Sequence, residues 1–536
     1  MMFGRHSKIL LFLLGAALIA GMMVEAAQEQ YKRISRDAIS DIVDGKIDAA
    51  IETASSYLDA HPGDLESMFV LAAAYAQKND LDRAYDYVRR SVEAGLPIAR
   101  YLAGPRDLLA PLYQSEAFQQ AVREADVQLL HGPLLGAVTD HSARFWVRTA
   151  REVPFQVVVS ETEAMDDPVK SRTVRTLESK DFTAIAEVEG LKPDARYFYE
   201  IYIDEQKEPE RWSFRTFPEK GASRRFEIGF GGGAGYTPQY ERMWNTIRSH
   251  HPLAFLLLGD NVYIDNPTRP AVQQYCYYRR QSRPEYRRFT AETSIFSIWD
   301  DHDFVDNDHW GGPEIDKPDW KIPVWRLYMN NWNNPSYGGG EKQPGCWFNF
   351  SIGDVDFIML DGRYYRTDPK TEHPSMLGPV QKEWLFKTLK SCRGVFKVIA
   401  SPVPWAFGAK PGSLDPWQGR REEREEIFSY IEDNKIEGVI LISADRHRSD
   451  AWKIEREDGY DFYEFESSKI SNIHTHGVMP GALFGYNKKC SFGHLTFDTM
   501  KADPEVVYKI FSIDDELIHQ ITVYKSQLEF SDKEAK

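Results

Sequence analysis

The chain has 536 residues, 42% hydrophobic and 13% aromatic. That excludes a disordered or fibrous protein and allows about two to four domains. The formal net charge of -16 argues against a general nucleic-acid binder, for which no basic patch is evident, and leaves room for bound cations.

The chain opens with Arg5, His6 and Lys8, then a small and apolar run from Ile9 to Met23, then Val24 and Ala26 placed for cleavage after Ala26. This predicts a secretory signal over 1–26 and export, to the periplasm or outside the cell. The run is short for a membrane span and no arginine pair precedes it, so neither a stable span nor the twin-arginine route is expected. The four cysteines, Cys276, Cys346, Cys392 and Cys490, have no CxxC spacing, which disfavours a zinc ribbon or thioredoxin site. Export permits disulfides, but the sequence does not pair them.

Residues 28–122 read as helical. "DGKIDAAI" (44–51) and "KNDLDRAY" (78–85) align at a period of 34, matching Ile47 with Leu81 and Ala50 with Ala84. This period resembles tetratricopeptide repeats, with "HPGD" (61–64) as the turn and 108–122 as a closing cap. Such a region binds or braces more often than it catalyses, so a protein partner is expected there. From 127 to 218 the pattern turns to alternating, Tyr-rich strands, as in "ARFWVRTA" and "ARYFYEIYID", and predicts a small immunoglobulin- or fibronectin-like β-sandwich with a structural role.

From 224 to 525 one event repeats: an apolar run of β-formers stops at polar residues. It recurs in "FEIGFGGGAGY", "LAFLLLGDNVYID", "SIFSIWDDHD", "VDFIMLDGRYYR", "FKVIASPVPW" and "GVILISADRHRSD", with helices between several of them. This predicts a layered α/β core whose strand ends form the site. Asp260, Tyr263, Asp301, Asp445 and His447 should meet there. Carboxylates brought together repel one another unless cations intervene, and oxygen and imidazole donors suit Fe, Mn, Zn, Mg or Ca. A pair of ions can hold a phosphate and activate water. Taken singly, each motif has a plainer reading: a turn, a solvated acid cluster, or, for Arg363, a salt bridge.

"GDNVYID", "WDDHDFVDND", "LDGRYYR", "SADRHRSDAW" and "EFESSKISN", in this order over about 220–525, resemble the motif series of PhoD-type alkaline phosphatases, a branch of the metallophosphoesterases. The resemblance implies a metal-dependent hydrolase of phosphomonoesters, phosphodiesters or both, holding two or more metal ions, Fe or Ca first and Mn or Zn as alternatives. It implies that Asp260 bridges two ions and that Tyr263, Asp301, Asp445 and His447 complete the coordination. It gives His302 the role of proton donor, Asp303 that of orienting its ring, and Arg363 that of gripping phosphate. Asp300 is implied as a support and Asn307 as a weaker contact.

One departure stands out. The family's Cys ligand after the first strand is absent; Gly233 or Ala234 falls there, which leaves the metal identities open. The glycines could instead present backbone N–H groups to phosphate. Tyr236 is a weak candidate for the site. The other class of function is a binding scaffold carrying a degenerate phosphatase domain, against which the retained metal-type residues argue. The aromatic stretch 308–340 is expected to cover the site, chiefly by packing. "HTHG" (474–477) should lie near the site, and "GRREEREE" (419–426) should start a solvated helix.

Overall fold

The computed structural model describes residues 33–530. The signal expected over 1–26 lies outside the described residues.

Helices occupy residues 33–43, Ile47–Ala60, Leu65–Gln77 and Leu81–Glu93, followed by short helical pieces and Glu116–Ala125. Side-chain caps set the starts. Asp64 accepts from Ser67 N–H at 2.8 Å, and Asp80 accepts from Arg83 N–H at 3.2 Å. Ala50 and Ala84 are both fully buried, because only a small side chain fits where the helices cross. Leu65–Gln77 is buried along most of its length and docks on the rest of the chain. Tyr275 Oη donates to Glu66 Oε2 at 2.7 Å, and the Arg100 guanidinium lies 3.9 Å from the Phe69 ring centre.

The next strands form two facing layers. Leu129–Gly136, Ser142–Thr149 and Thr183–Glu189 make one; Pro154–Ser160, Arg196–Ile203 and Gln206–Arg215 make the core of the other. Phe145 meets Tyr199 and Phe214 between them, at ring distances of 4.6 and 5.5 Å. The first layer does not close on itself. Leu129–Gly136 pairs in parallel with Ser294–Ile298, through Gly136 and Ile295, and so joins a nine-stranded sheet.

That sheet continues through Ala254–Leu258 and Arg225–Gly231, parallel to one another, to three antiparallel strands between Ser491 and Tyr524. A seven-stranded sheet faces it, with Val355–Met359, Phe396–Ala400, Val439–Ser443 and Phe462–Ser467 parallel at its centre. These central strands are nearly all buried. This is why they read as unbroken apolar runs. Phe296 stacks on Phe350 at 3.8 Å, and Phe465 on Tyr508 at 4.5 Å, across the layers. A bridge between Gly232 and Ser468 ties the two sheets at the rim where the parallel strands end.

Two local expectations change. Arg421–Asp433 is a helix, but Glu423 and Arg424 in "GRREEREE" are buried, each only 4% exposed. Glu423 accepts from Ser375 Oγ at 2.8 Å and from the Met376 N–H, so its charge faces a loop and not water. The stretch 308–340 is mainly packing: Trp325 and Tyr328 are buried, and Trp325 Nε1 donates to Gly345 O at 2.9 Å. The four cysteines are free thiols.

Candidate active site

Three loops from the nine-stranded sheet and four from the seven-stranded sheet meet at this rim. Ala254–Leu258 runs into Gly259, whose φ is +106°. A Cβ there would stand 2.5 Å from Asp300 Cβ, so only glycine lets the loops touch. Asp260, Tyr263 and Asp265 then also adopt left-handed backbone (φ 55°, 52° and 53°), a costly run of the kind that clusters at functional sites.

Asp303 fixes this turn. Its carboxylate accepts from Asn261 N–H at 3.0 Å and Val262 N–H at 2.9 Å, and from the Asp300 N–H in a capping box. Burial lifts its carboxyl to about 6 against those donors. The expectation that Asp303 orients His302 is therefore corrected. A side chain at this helix position folds back on the helix start, away from its neighbour's ring. Asp265 holds His302 instead, through Nδ1, and Arg36 from the first helix pairs with Asp265 from the other side. That leaves Nε2 as the His302 nitrogen for the pocket.

One ligand-type atom each of Asp260, Asp301 and His302 lies within 4.8 Å of the other two. Tyr263 Oη donates to Asp260 Oδ2 at 3.0 Å and lies 2.9 Å from His447 Nε2. Asn472 Nδ2 donates to the same Oη at 2.7 Å. The Tyr263 and His302 rings stack at 4.6 Å. Asp445 stands apart from this knot, 3.4 Å from Lys410 Nζ and 3.6 Å from Arg446.

Arg363 is fully buried and its fork is closed. Nε pairs with Asp300, Nη1 with Asp415 Oδ1 at 2.8 Å, and Nη2 with Asp415 Oδ2 at 3.3 Å. The expected phosphate grip is corrected to a brace. The residue lies beneath two buried carboxylates that need a counter-charge more than the substrate does. Lys410 is the cation beside the pocket that sequence reading missed. Burial alone would lower its pKa, but Asp445, Asp415, Asp308 and Asp301 raise it above the usual range. It sits in a loop with no periodic pattern, as does Asp415, so neither carried a sequence signal.

The glycine loop is a seam and not a phosphate cradle. Gly232 N–H donates to Ser467 O at 3.0 Å, Gly233 N–H to Gly259 O at 3.2 Å and Ala234 N–H to Asp260 O at 2.8 Å. A Cβ on Gly233 (φ +66°) would stand 2.9 Å from Lys469 N and 3.3 Å from His447 Cδ2. At Gly233, one of the two positions where the family's cysteine would fall, a side chain would force its neighbours to shift. Tyr236 is buried under the Arg279 guanidinium at 4.2 Å, away from the pocket, and Asn307 is exposed.

The charges do not balance without help. Burial, then Asp301, Asp300 and Asp303, push the Asp260 carboxyl well above its usual range, although His302 opposes this. Burial also raises Asp300, with Asp301 and Asp415 adding to the rise and Arg363 opposing it. Asp260 Oδ1 and Asp300 Oδ2 are buried with no hydrogen-bond partner among the described residues. Orphaned carboxylate oxygens beside a phenol and imidazoles are what a cation site requires, and the residues fit one.

The facing sheets with acids and histidines at their shared rim define a phosphoric ester hydrolase with a metallophosphatase-like α/β fold. The model of the PhoD-like phosphatase family matches residues 228–509, and the chain belongs to that family. A domain of unknown function (DUF7800) matches 126–219. The chain is 23% identical over 441 residues to alkaline phosphatase D of Bacillus subtilis (strain 168), covering 70% of this chain and 71% of that protein. A solved structure of PhoD is similar in fold, with a TM-score of 0.61 at 17% identity, covering 73% of this chain and 92% of the other. The purple acid phosphatase PPD1 from yellow lupin (Lupinus luteus) seeds gives a TM-score of 0.55 at 12% identity, covering 74% and 75%.

Proposed function

We propose that this hydrolase is metal-dependent and exported, and that it cleaves phosphomonoesters, phosphodiesters or both. The observation that carries the metal dependence is Asp260: a buried carboxylate, crowded by other acids, with one oxygen unpartnered. Asp260, Tyr263, Asp301, Asp445 and His447 are the proposed ligands, for two or more ions among Fe, Ca, Mn and Zn. Cations bound there supply Lewis-acid chemistry, neutralising phosphate charge and acidifying water.

The chain's own residues do the rest. His302, held through Nδ1 by Asp265, presents Nε2 as proton donor to the leaving oxygen. Burial alone would lower its pKa, but Asp301, Asp260 and Asp265 raise it above the usual value, the direction a proton donor needs. Lys410 places positive charge beside the acids and also borders a cavity of about 590 Å³ lined in part by Trp310, Lys370 and Arg366. That cavity suits the organic part of an anionic ester, with Trp310 offering a stacking face.

Export rests on the sequence of residues 1–26. No helix among the described residues is long and apolar enough to cross a membrane. The tetratricopeptide-like region (28–122) and the immunoglobulin-like layers (127–218) are read as braces for the catalytic part (224–525), the former with a protein partner.

The test is elemental analysis of the mature protein with p-nitrophenyl and bis-p-nitrophenyl phosphate assayed on the same sample. Two or more equivalents of metal, with hydrolysis lost on chelation, are expected. Full activity in a metal-free sample would overturn the reading.

A further inference from the structure

His447, His474 and His476 come together although they lie on separate segments. His447 follows the strand Val439–Ser443, and the other two lie in an irregular loop beyond Phe462–Ser467. One ring nitrogen from each lies within 4.8 Å of the other two. Ring centres stand 5.1 Å apart for His447 and His474, 5.4 Å for His447 and His476, and 4.6 Å for His474 and His476.

The loop is fastened in this shape. His474 N–H donates to Asn472 Oδ1 at 3.1 Å. Lys469 Nζ donates to Thr475 Oγ1 at 2.9 Å, and Thr475 Oγ1 donates to Asn487 O at 3.0 Å. Asn487 Nδ2 donates to His476 O at 2.8 Å. Each residue from 474 to 476 thus has an anchor. Thr475 Oγ1 also lies 3.5 Å from His447 O, which ties the loop to the segment carrying the third histidine. Anchors of this kind, which fix ligand orientation from outside, are a usual part of metal sites. The basic neighbours are engaged elsewhere: Arg446 faces Asp445 at 3.6 Å, and Arg448 pairs with Asp450 at 2.5 Å.

We propose that His447, His474 and His476 form a nitrogen-donor subsite for one borderline divalent metal, next to the oxygen-rich subsite of Asp260, Tyr263 and Asp301. This rests on the metal-dependent reading above and deepens it. The two subsites share a wall, since His447 Nε2 is 4.0 Å from Asp260 Oδ2 with the Tyr263 hydroxyl beside both. Their donors differ in kind. An all-imidazole set selects metals such as Zn, Co, Ni or Cu, whereas carboxylates accept Ca, Mg or Mn. The chain would then sort two unlike ions by ligand chemistry.

The test uses full-length mature protein, stripped by chelation and titrated with Co(II) alone, then with excess Ca(II). Visible absorption and X-ray absorption report the nitrogen donors, and circular dichroism reports the fold. Wild type should bind Co(II) at a site that Ca(II) does not displace. H474A/H476A should weaken that site by more than the roughly 10–100-fold lost when only an outer partner is removed. It should keep the Ca(II)-displaceable site. The single variant H476Q, which keeps a polar side chain on the loop, should show an intermediate loss and serves if the double variant does not fold. An unchanged Co(II) affinity and imidazole signal in folded variants would overturn this inference and leave the carboxylate site standing. Wild type that binds no metal would overturn both.

Discussion

Arg36 and Asp265, 229 residues apart in sequence, form an ion pair whose far side holds Nδ1 of His302. Arg36 also donates to Tyr263 O at 3.2 Å. The first described helix is thus one step from a residue that faces the pocket. Burial alone would raise the Asp265 carboxyl, but His302 and Arg36 hold it below the usual range. Under the proposed mechanism, Arg36→Ala should lower kcat by roughly 10-fold with little change in KM, because the aligned ring and not the binding surface is disturbed. Arg36→Lys should recover part of the rate, since the charge returns without the fork. A change confined to KM would show that the pair does not act through His302.

Asp260→Asn separates activity from stability. It should abolish metal-dependent hydrolysis. In metal-free protein it should raise stability by about 1–3 kcal/mol, because it removes a charge that buried neighbours repel. Melting of the chelated variant beside chelated wild type checks this. A lower melting temperature in the variant would mean that the carboxylates are already well compensated.

His131 gives a pH dependence remote from the pocket. It is buried, Nδ1 accepts from Arg148 Nη1 at 2.8 Å, and Nε2–H faces Ser282 Oγ at 2.9 Å. Burial, then Arg148, Arg100, Arg287 and Arg106, press its pKa well below the usual value. The unfolded chain therefore binds the proton first. The stability contribution is complete above about pH 6.5 and falls by about 1.4 kcal/mol per unit as the pH drops towards the folded value. Urea midpoints at about pH 7.5 and 5.5 should differ less in His131→Gln than in wild type.

Gly259→Ala should be severe for so small a change. The new methyl would collide with Asp300 at a φ that side chains avoid. A loss of about 2–4 kcal/mol is expected, with activity falling alongside, and thermal unfolding measures it.

The strands and their endings were legible because buried parallel strands show their burial as unbroken apolar runs. Asp260, Tyr263 and His447 follow directly from such runs, and the structure brings them into contact. The misreadings share another cause. Asp303 beside His302 looks like an orienting pair, yet backbone geometry commits it to a cap. Arg363 looks like an anion grip, yet Asp415 meets it from a segment 52 residues away. Arg36, Asp265 and Lys410 act by long-range pairing, for which a single sequence holds no periodic trace. Glu423 and Arg424 look solvated because charge usually marks surface, and only tertiary contacts reveal the exception.

The pairing of Leu129–Gly136 with Ser294–Ile298 bears on any attempt to trim this protein to a minimal enzyme. Cutting the chain near residue 220 would spare every acid and histidine at the rim. It would also bare one side of the apolar strand that leads into Asp300 and Asp301. An uncovered strand edge of that composition recruits other chains and favours aggregation. The solubility of a shortened enzyme therefore depends on the strand Leu129–Gly136, which holds no residue of the site, and the same cut removes Arg36 from behind Asp265.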